Sequence, residues 1–453
     1  MNDLKFQEDR VFLKAKQSDY SFCINDGKWR LNRNSLVNVE AVSLLLESKL
    51  IDGYLNTLAF YACRYSSSYV SKINNAMNDF ISKVSPEYID ESVILNYRAS
   101  LPKWKMQNLV SLRCFFIRWH SLGYYGIDEK VITLLKATRL KVKEAGNIIR
   151  QDNPDKGALT DNEHETLNQA IYSAYRNKKI ALHEFSAALL ASFSGRRPLQ
   201  ITSLKLKDIV KERTRNGEVR FLINIPRVKQ GLEFRQSFRS LNINKSMYNI
   251  LNQQASASVA LIESQIGRAL KPAEKDEVPV FLDRTHCKML IGKEKILDLL
   301  VSDRLHASKH TVDIILKKII KKENVISGKT AQPMKMSARR LRYTIGTRLA
   351  REGCSVQVIA ELLDHSSIAS AGIYIENLPD NAEKISQAVS KKLAFLADVF
   401  LGKVEGDRAN GNHGLLTKKT CSSCVDTSTI PCHSCIYFRP LHNNADNKEV
   451  IYE

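Results

Sequence analysis

The stretch VIAELLDHSSIASAGIYIE, residues 358–376, sets an apolar helix-like run against a polar break and follows it with a second apolar run holding one tyrosine. His365 closes the first run, and Tyr374 stands nine residues later. Taken singly, a histidine at a turn and a tyrosine on an apolar face are more often structural than chemical. Their neighbours upstream change the weighing. In SARRLRYTIGTRLAREG, residues 337–353, Arg339 and Arg342 are three apart and so share one helix face, while Leu341, Ile345 and Leu349 form the opposite, core-facing stripe. Alone, this is an ordinary basic amphipathic helix.

Further upstream, ASFSGRRPLQITSLKLKDI, residues 191–209, ends a helix at Gly195 and places Arg196 and Arg197 at a turn before another helical start. By itself that is a solvated basic turn. Between these two basic segments lie two β-like runs, VRFLINIP at 219–226 and a second at 234–241, joined by a turn that contains VKQG, residues 228–231.

Together, these segments resemble the tyrosine recombinase, or phage integrase, family. The first is similar to its G-x-R-x-x-E-L box, with Arg197 at the arginine position. The second resembles H-x-L-R-H-T, with Arg342 as the second arginine. The third resembles L-G-H-x-S-x-x-x-T-x-x-Y at His365 and Tyr374, and Lys229 falls where the family has a β-hairpin lysine. Four boxes occur in the family's order over about 180 residues. There are departures: Gln200 stands for the usual Glu, Arg339 for the first His of the second box, Tyr343 for its second His, and Asp364 for the usual Gly. An arginine stays protonated and cannot serve as a general base, so Arg339 implies altered proton handling.

The resemblance implies a catalytic set of Arg197, Lys229, Arg339, Arg342, His365 and the nucleophile Tyr374. A phenol has a pKa near ~10, so attack at neutral pH needs a proton acceptor or strong local positive charge. The guanidinium groups of Arg197 and Arg342 can hold both non-bridging oxygens of a phosphodiester as charge builds in the transition state. The set contains no paired carboxylates of the kind that hold Mg²⁺, so no cofactor is expected for catalysis. Lys229 is the candidate acid for the leaving 5′-oxygen. A covalent 3′-phosphotyrosyl intermediate would conserve the phosphodiester for rejoining. Two other readings stand beside this one: a catalytically silent DNA-binding relative, and a type IB topoisomerase.

The composition agrees with such a partner. Lys and Arg number 68 against 48 Asp and Glu, a formal charge of +20 spread along 453 residues, which makes nucleic acid the first partner to consider. An apolar fraction of 43% with 26% charged residues is that of a folding globular chain. The charged beginning of the sequence and the lack of a long apolar run predict a cytoplasmic protein with no membrane partner. The expected partner is double-stranded DNA at specific sites, bound by a homotetramer on paired sites as the family implies.

The fold expected is mainly α with a small antiparallel β-sheet in the catalytic domain, preceded by a helical core-binding domain. Residues 1–35 read as a small strand-turn-strand piece around Asp26-Gly27, and 36–150 as the helical domain, where Leu109, Leu112, Phe116 and Trp119 mark one helix face. Breaks are expected at Ser66-Ser67-Ser68, Ser85-Pro86 and between Gly123 and Gly126. QDNPDKG, residues 151–157, has the composition of an exposed interdomain linker, and Thr160 with Glu163 has capping-box spacing. The catalytic domain is expected over 158–400.

A glycine-bearing linker at 401–416 leads to residues 417–442. There Cys421, Cys424, Cys432 and Cys435 form C-x2-C-x7-C-x2-C, a spacing suited to one structural tetrahedral Zn²⁺, with His433 and His442 as substitute ligands. The other five cysteines are isolated.

Overall fold

The computed structural model describes residues 11–140, 146–151 and 153–376. The 401–416 linker, the four clustered cysteines, His433 and His442 lie outside the described residues, as does the end of the expected catalytic domain.

The chain opens with two short antiparallel ladders: β1 (Phe12–Lys14) with β2 (Ser21–Cys23), and β3 (Lys28–Asn32) with β4 (Ser35–Asn38). The expected strand-turn-strand around Asp26-Gly27 is therefore not a hairpin, because β2 and β3 take their partners on opposite sides. Nor is this piece independent. Alternation along β3 and β4 turns Trp29, Leu31 and Val37 inward, where they share one core with the helices that follow.

Those helices are α1 (Ser48–Arg64), α2 (Ser67–Val84), α3 (Glu91–Ser100), α4 (Met106–Ser121) and α5 (Glu129–Ala137). The serine cluster separates α1 from α2, and Asp90 and Asp128 cap α3 and α5 by accepting from Val93 N–H and Lys130 N–H. Leu109, Leu112, Phe116 and Trp119 are all buried, as their spacing predicts. Trp119 lies against α1 so closely that a Cβ at Gly53 would come within 2.2 Å of its indole nitrogen. Only glycine fits that crossing.

The second half begins with α6 (Asp161–Arg176), whose capping box forms as its spacing predicts: Glu163 N–H donates to Thr160 Oγ1, and Thr160 N–H to Glu163 Oε2. Next comes α7 (Leu182–Ser194), which closes on Gly195 in the left-handed region at φ 58°. A three-stranded antiparallel sheet follows, β5 (Ile209–Arg213), β6 (Val219–Pro226) and β7 (Phe238–Ile243), with β6 central. Helices α8 (Lys245–Ile266), α9 (Thr311–Glu323), α10 (Ala338–Arg351), α11 (Val356–Leu362) and α12 (Ala369–Glu376) complete it. The architecture is the expected mainly helical one with a small antiparallel sheet.

One core joins Leu167, Ile171, Leu190, Ile223, Leu251, Leu316, Ile319 and Leu341. Each such Leu or Ile contributes roughly 1.5–3 kcal/mol by leaving water. A smaller cluster packs Ala350, Ile359, Leu363 and Ala371 around Tyr374. Among the described residues, no helix is long and apolar enough to cross a membrane.

Within 151–157, Pro154 and Lys156 are exposed, and buried Arg340 donates to the carbonyls of Pro154 (2.9 Å) and Gly157 (3.0 Å), which ties this part of the stretch to α10. The strand expected from Phe234 starts only at Phe238, because Phe234 and Arg235 are drawn into other contacts.

The N-terminal hairpins also meet the second half. Tyr20 donates to Asp303 (2.5 Å), Arg33 to Thr202 Oγ1 (3.2 Å) and Ser203 Oγ (3.0 Å), and Asn34 Oδ1 accepts from Lys309 N–H (2.8 Å).

Candidate active site

Gly195 lets α7 stop abruptly, so Arg196 and Arg197 emerge at the turn, and Pro198 then opens a one-turn helix over Pro198–Ile201. Arg197 Nη1 donates to the backbone carbonyl of Asp364 at 2.7 Å. That residue precedes His365, so this one contact joins the first and third sequence boxes. The second box enters from α10, where Arg342, 8% exposed, donates from Nη1 to the Gly195 carbonyl at 3.3 Å. Tyr374 on α12 lies with its ring edge-on to His365, centroids 6.1 Å apart.

Lys229 projects from the β6–β7 connection, whose left-handed residues include Lys229 itself (φ 66°) and Gly231 (φ 78°). Gln230 on the same turn donates to Ser366 at 3.3 Å. Protein packed around the turn, and then the charges of Arg197, Arg339 and Arg342, lower the lysine's pKa from its ordinary value. Arg339 is exposed on α10, one turn before Arg342. All six residues singled out in the sequence thus gather around one spot.

Electrostatics divide the site into held and free charges. Asp364 is fully buried and accepts from Arg227 Nε (2.7 Å), Gln200 Nε2 (3.0 Å) and Arg197 Nη1 (3.5 Å). Its φ of 54° is left-handed, a strained conformation for a residue with a side chain and one these contacts hold in place. Gln200 cannot supply the negative charge, but it bonds to the residue that does, and its Oε1 accepts from Arg197 N–H (3.1 Å). The acidic function absent at 200 is present at 364.

Other nitrogens are buried without partners: Nη2 of Arg342, Nε and Nη1 of Arg196, and Nε2 of His365. Burial brings the pKa of both arginines down to about 10, Arg342 with further repulsion from Arg197, and Arg196 despite the opposing pull of Asp364. His365 falls to about 4, first by burial and then by Arg342 and Arg197, so its imidazole is neutral at pH 7. Buried guanidinium N–H groups left unmet cost free energy, and an anion would satisfy them.

Tyr374 is only 2% exposed. Burial raises its pKa to about 12 against the lowering pull of Arg342 and Arg197. Its ring lies on α10 where Gly346 leaves a gap, and a Cβ there would sit 2.6 Å from ring atoms. Tyr343, which adjoins Arg342 and is the nearest other tyrosine in sequence, packs against the same apolar cluster.

Sequence reasoning noticed Arg196 but gave it no role, and it missed Arg227 and Gly346 and took Asp364 only as a departure. Arg227 sits two residues before Lys229 and the doubled arginine at 196–197 was visible, but neither signals a partner 137 residues away. No group of three or more potential metal ligands occurs among the described residues.

Residues 158–380 match the phage integrase family. No curated protein matches the chain. Among solved structures, the chain is similar to the XerH site-specific recombinase bound to difH substrate in a pre-cleavage complex, at 14% identity and a TM-score of 0.44, covering 77% of this chain and 94% of that one. A lambda integrase dimer bound to a COC′ core site matches at 14% identity and a TM-score of 0.45, covering 75% and 80%. The Tn1549 transposon integrase in complex with a circular intermediate DNA matches at 15% identity and a TM-score of 0.39, covering 69% and 85%. Likenesses this distant add no weight to the family match.

Proposed function

The chain is a tyrosine-type site-specific recombinase of the phage integrase family, and from that premise we propose that it cuts and rejoins double-stranded DNA through a covalent 3′-phosphotyrosyl intermediate on Tyr374. The observation behind this reading is the set of unpartnered, buried nitrogens on Arg342 and His365 beside the tyrosine, with those of Arg196 next to Arg342. They form a ready receptor for a phosphate.

In the proposed reaction a scissile phosphate enters this receptor, and Arg197 and Arg342 hold its non-bridging oxygens. The Tyr374 Oη–P bond forms as the P–O5′ bond breaks. The phenol proton passes to solvent, and the departing O5′ takes a proton from the Lys229 ammonium, whose lowered pKa suits a general acid. His365, neutral at pH 7, contributes a hydrogen bond and not a charge. Arg339, exposed and near Lys229, adds positive charge toward the backbone. In the second half-reaction a 5′-hydroxyl attacks the phosphotyrosine and releases the enzyme without ATP.

The biological role proposed is integration or excision of a mobile element, by four protomers on paired sites in the cytoplasm. The clustered cysteines Cys421, Cys424, Cys432 and Cys435 are proposed to hold one structural Zn²⁺, as four thiolates at this spacing suit a tetrahedral ion. Elemental analysis of reduced protein should find about one zinc per chain, lost on Cys421→Ser. Metal-free, folded protein would end that proposal.

The central test uses a duplex selected by the full chain from a random-sequence pool and nicked to trap cleavage. Wild type should form a covalent adduct whose nucleotide maps to the Tyr374 peptide. Tyr374→Phe should bind with near-native affinity and form none, whereas Tyr343→Phe still should. A nucleotide found on Tyr343 or on a serine would overturn the assignment.

A further inference from the structure

The turn that presents Lys229 is long and strained. Its base is closed by Arg227 N–H donating to the Ser237 carbonyl (2.8 Å), and within it Lys229, Gly231 and Arg235 all have positive φ, at 66°, 78° and 59°. A segment with two non-glycine residues in that region keeps its shape only if outside contacts hold it.

Beside Lys229 itself Gln230 donates to Ser366 (3.3 Å), and the other contacts lie at the far end of the turn. Arg235 forms a fork with Asp208 (2.6 and 2.7 Å) and donates to the Ser203 carbonyl (2.9 Å). Phe234, one residue earlier, is boxed by three groups. The His306 ring stands edge-on at 5.4 Å, Lys205 Nζ lies 5.9 Å from its centroid, and the Arg33 guanidinium lies 5.7 Å from it.

Two walls of that box, His306 and Lys205, belong to the catalytic domain. Arg33 does not: it sits at the β3–β4 turn of the N-terminal domain, with its guanidinium fixed by Thr202 and Ser203. The adjoining Ser18 N–H reaches Glu233 at 3.5 Å, a second touch from the same domain on the same turn. A cation over an aromatic face gains from the ring's quadrupole, more so where water is excluded, and Arg33 is 9% exposed.

We propose that Arg33 is a positioning residue for Lys229: by closing the box around Phe234 it fixes the far end of the turn, so the general acid is presented only when the N-terminal domain is seated on the catalytic domain. The inference rests on the reading of Lys229 as the acid. It makes protonation of the leaving oxygen sensitive to how the two domains grip their DNA, a coupling that none of the four sequence boxes contains.

The test compares two versions of the selected, nicked duplex, one with an ordinary scissile phosphate and one with a 5′-bridging phosphorothiolate, whose sulfur leaves without a proton. Full-length Arg33→Ala and Phe234→Leu should each cleave the ordinary duplex at least ~10-fold more slowly than wild type, part of the ~10²–10⁴-fold that a general acid supplies. Both should return to wild-type rates on the phosphorothiolate, as Lys229→Ala should. Slow cleavage of both duplexes by Phe234→Leu, which keeps an apolar side chain and leaves the fold intact, would assign the box to binding or folding and overturn the proposal. Wild-type cleavage of the ordinary duplex by both variants would overturn it too. Failure of the phosphorothiolate to rescue Lys229→Ala would instead remove the lysine as the acid, and the proposal with it.

Discussion

At Asp364 a single carboxylate meets Arg197, Arg227 and Gln200 with no access to water, so its charge sets the balance of the whole arginine cluster. Breaking a buried ion pair by removing one partner costs about 3–5 kcal/mol, because the remaining charges lose their counter-ion. Asp364→Asn should therefore lower the unfolding free energy obtained from urea titration by an amount in that range and slow strand cleavage at least ~10-fold, as Arg197 loses its anchor. Unchanged stability and cleavage would show the carboxylate to be dispensable. Arg197→Ala and Arg342→Ala should abolish detectable cleavage while leaving DNA binding largely intact, since each would act on transition-state charge at a single phosphate. A gel-shift and a cleavage assay on the same duplex separate the two effects. The arginines, the histidine and the tyrosine could be singled out only because the short segments that hold them resemble the family's boxes, each of which is local in sequence. The role of Asp364 could not be read that way, since its partners lie 137 to 167 residues away in sequence and only folding brings them together.

At the scale of elements, α12 and α10 meet where the Tyr374 ring rests on Gly346. Gly346→Ala would place a methyl 2.6 Å from an aromatic ring that cannot bend aside, so α12 must shift or the ring must leave its seat. The expected cost is about 1–3 kcal/mol in thermal or urea unfolding, as for other overpacked sites. It should be accompanied by greater reactivity of Tyr374 toward a tyrosine-nitrating reagent, read by peptide mass spectrometry; an unmoved midpoint with an unreactive tyrosine would refute the seat. The strand β6 was readable end to end because its apolar run is framed by turn residues. Its edge partner β5 was not, because IVKER shows no alternation and only its neighbour's hydrogen bonds make it a strand. The late start of β7 has a similar cause, since Phe234 and Arg235 have strand-forming neighbours but are claimed by Arg33 and Asp208.

At the scale of the whole molecule, four histidines among the described residues, His164, His183, His306 and His365, have their pKa lowered, each chiefly by burial. A group whose folded pKa is depressed binds fewer protons folded than unfolded between the two values, so acid favours the unfolded chain there. For His365 that window runs from the ordinary 6.5 down to about 4. The melting temperature should thus fall as pH is lowered from 6.5 toward 4, and His306→Gln should flatten the fall; a midpoint constant over that range would contradict the burial of these rings. The linker composition at 151–157 did not reveal that Arg340, on a distant helix, pins the stretch at Pro154 and Gly157, because a polar loop and a pinned loop share the same residues. The seam between the N-terminal hairpins and the catalytic domain has a consequence of its own. Most of the contacts described across it, Tyr20 with Asp303, Arg33 with Thr202 and Ser203, and Asn34 with Lys309, are hydrogen bonds that water can replace on both sides, and one, Arg33 over Phe234, covers an aromatic ring. Parting such a seam wets these polar groups and bares the Phe234 ring, and because polar and apolar exposure change heat capacity in opposite directions, its opening should have a small heat-capacity change. The balance between a seated and a parted seam should then differ little between a cold cell and a warm one.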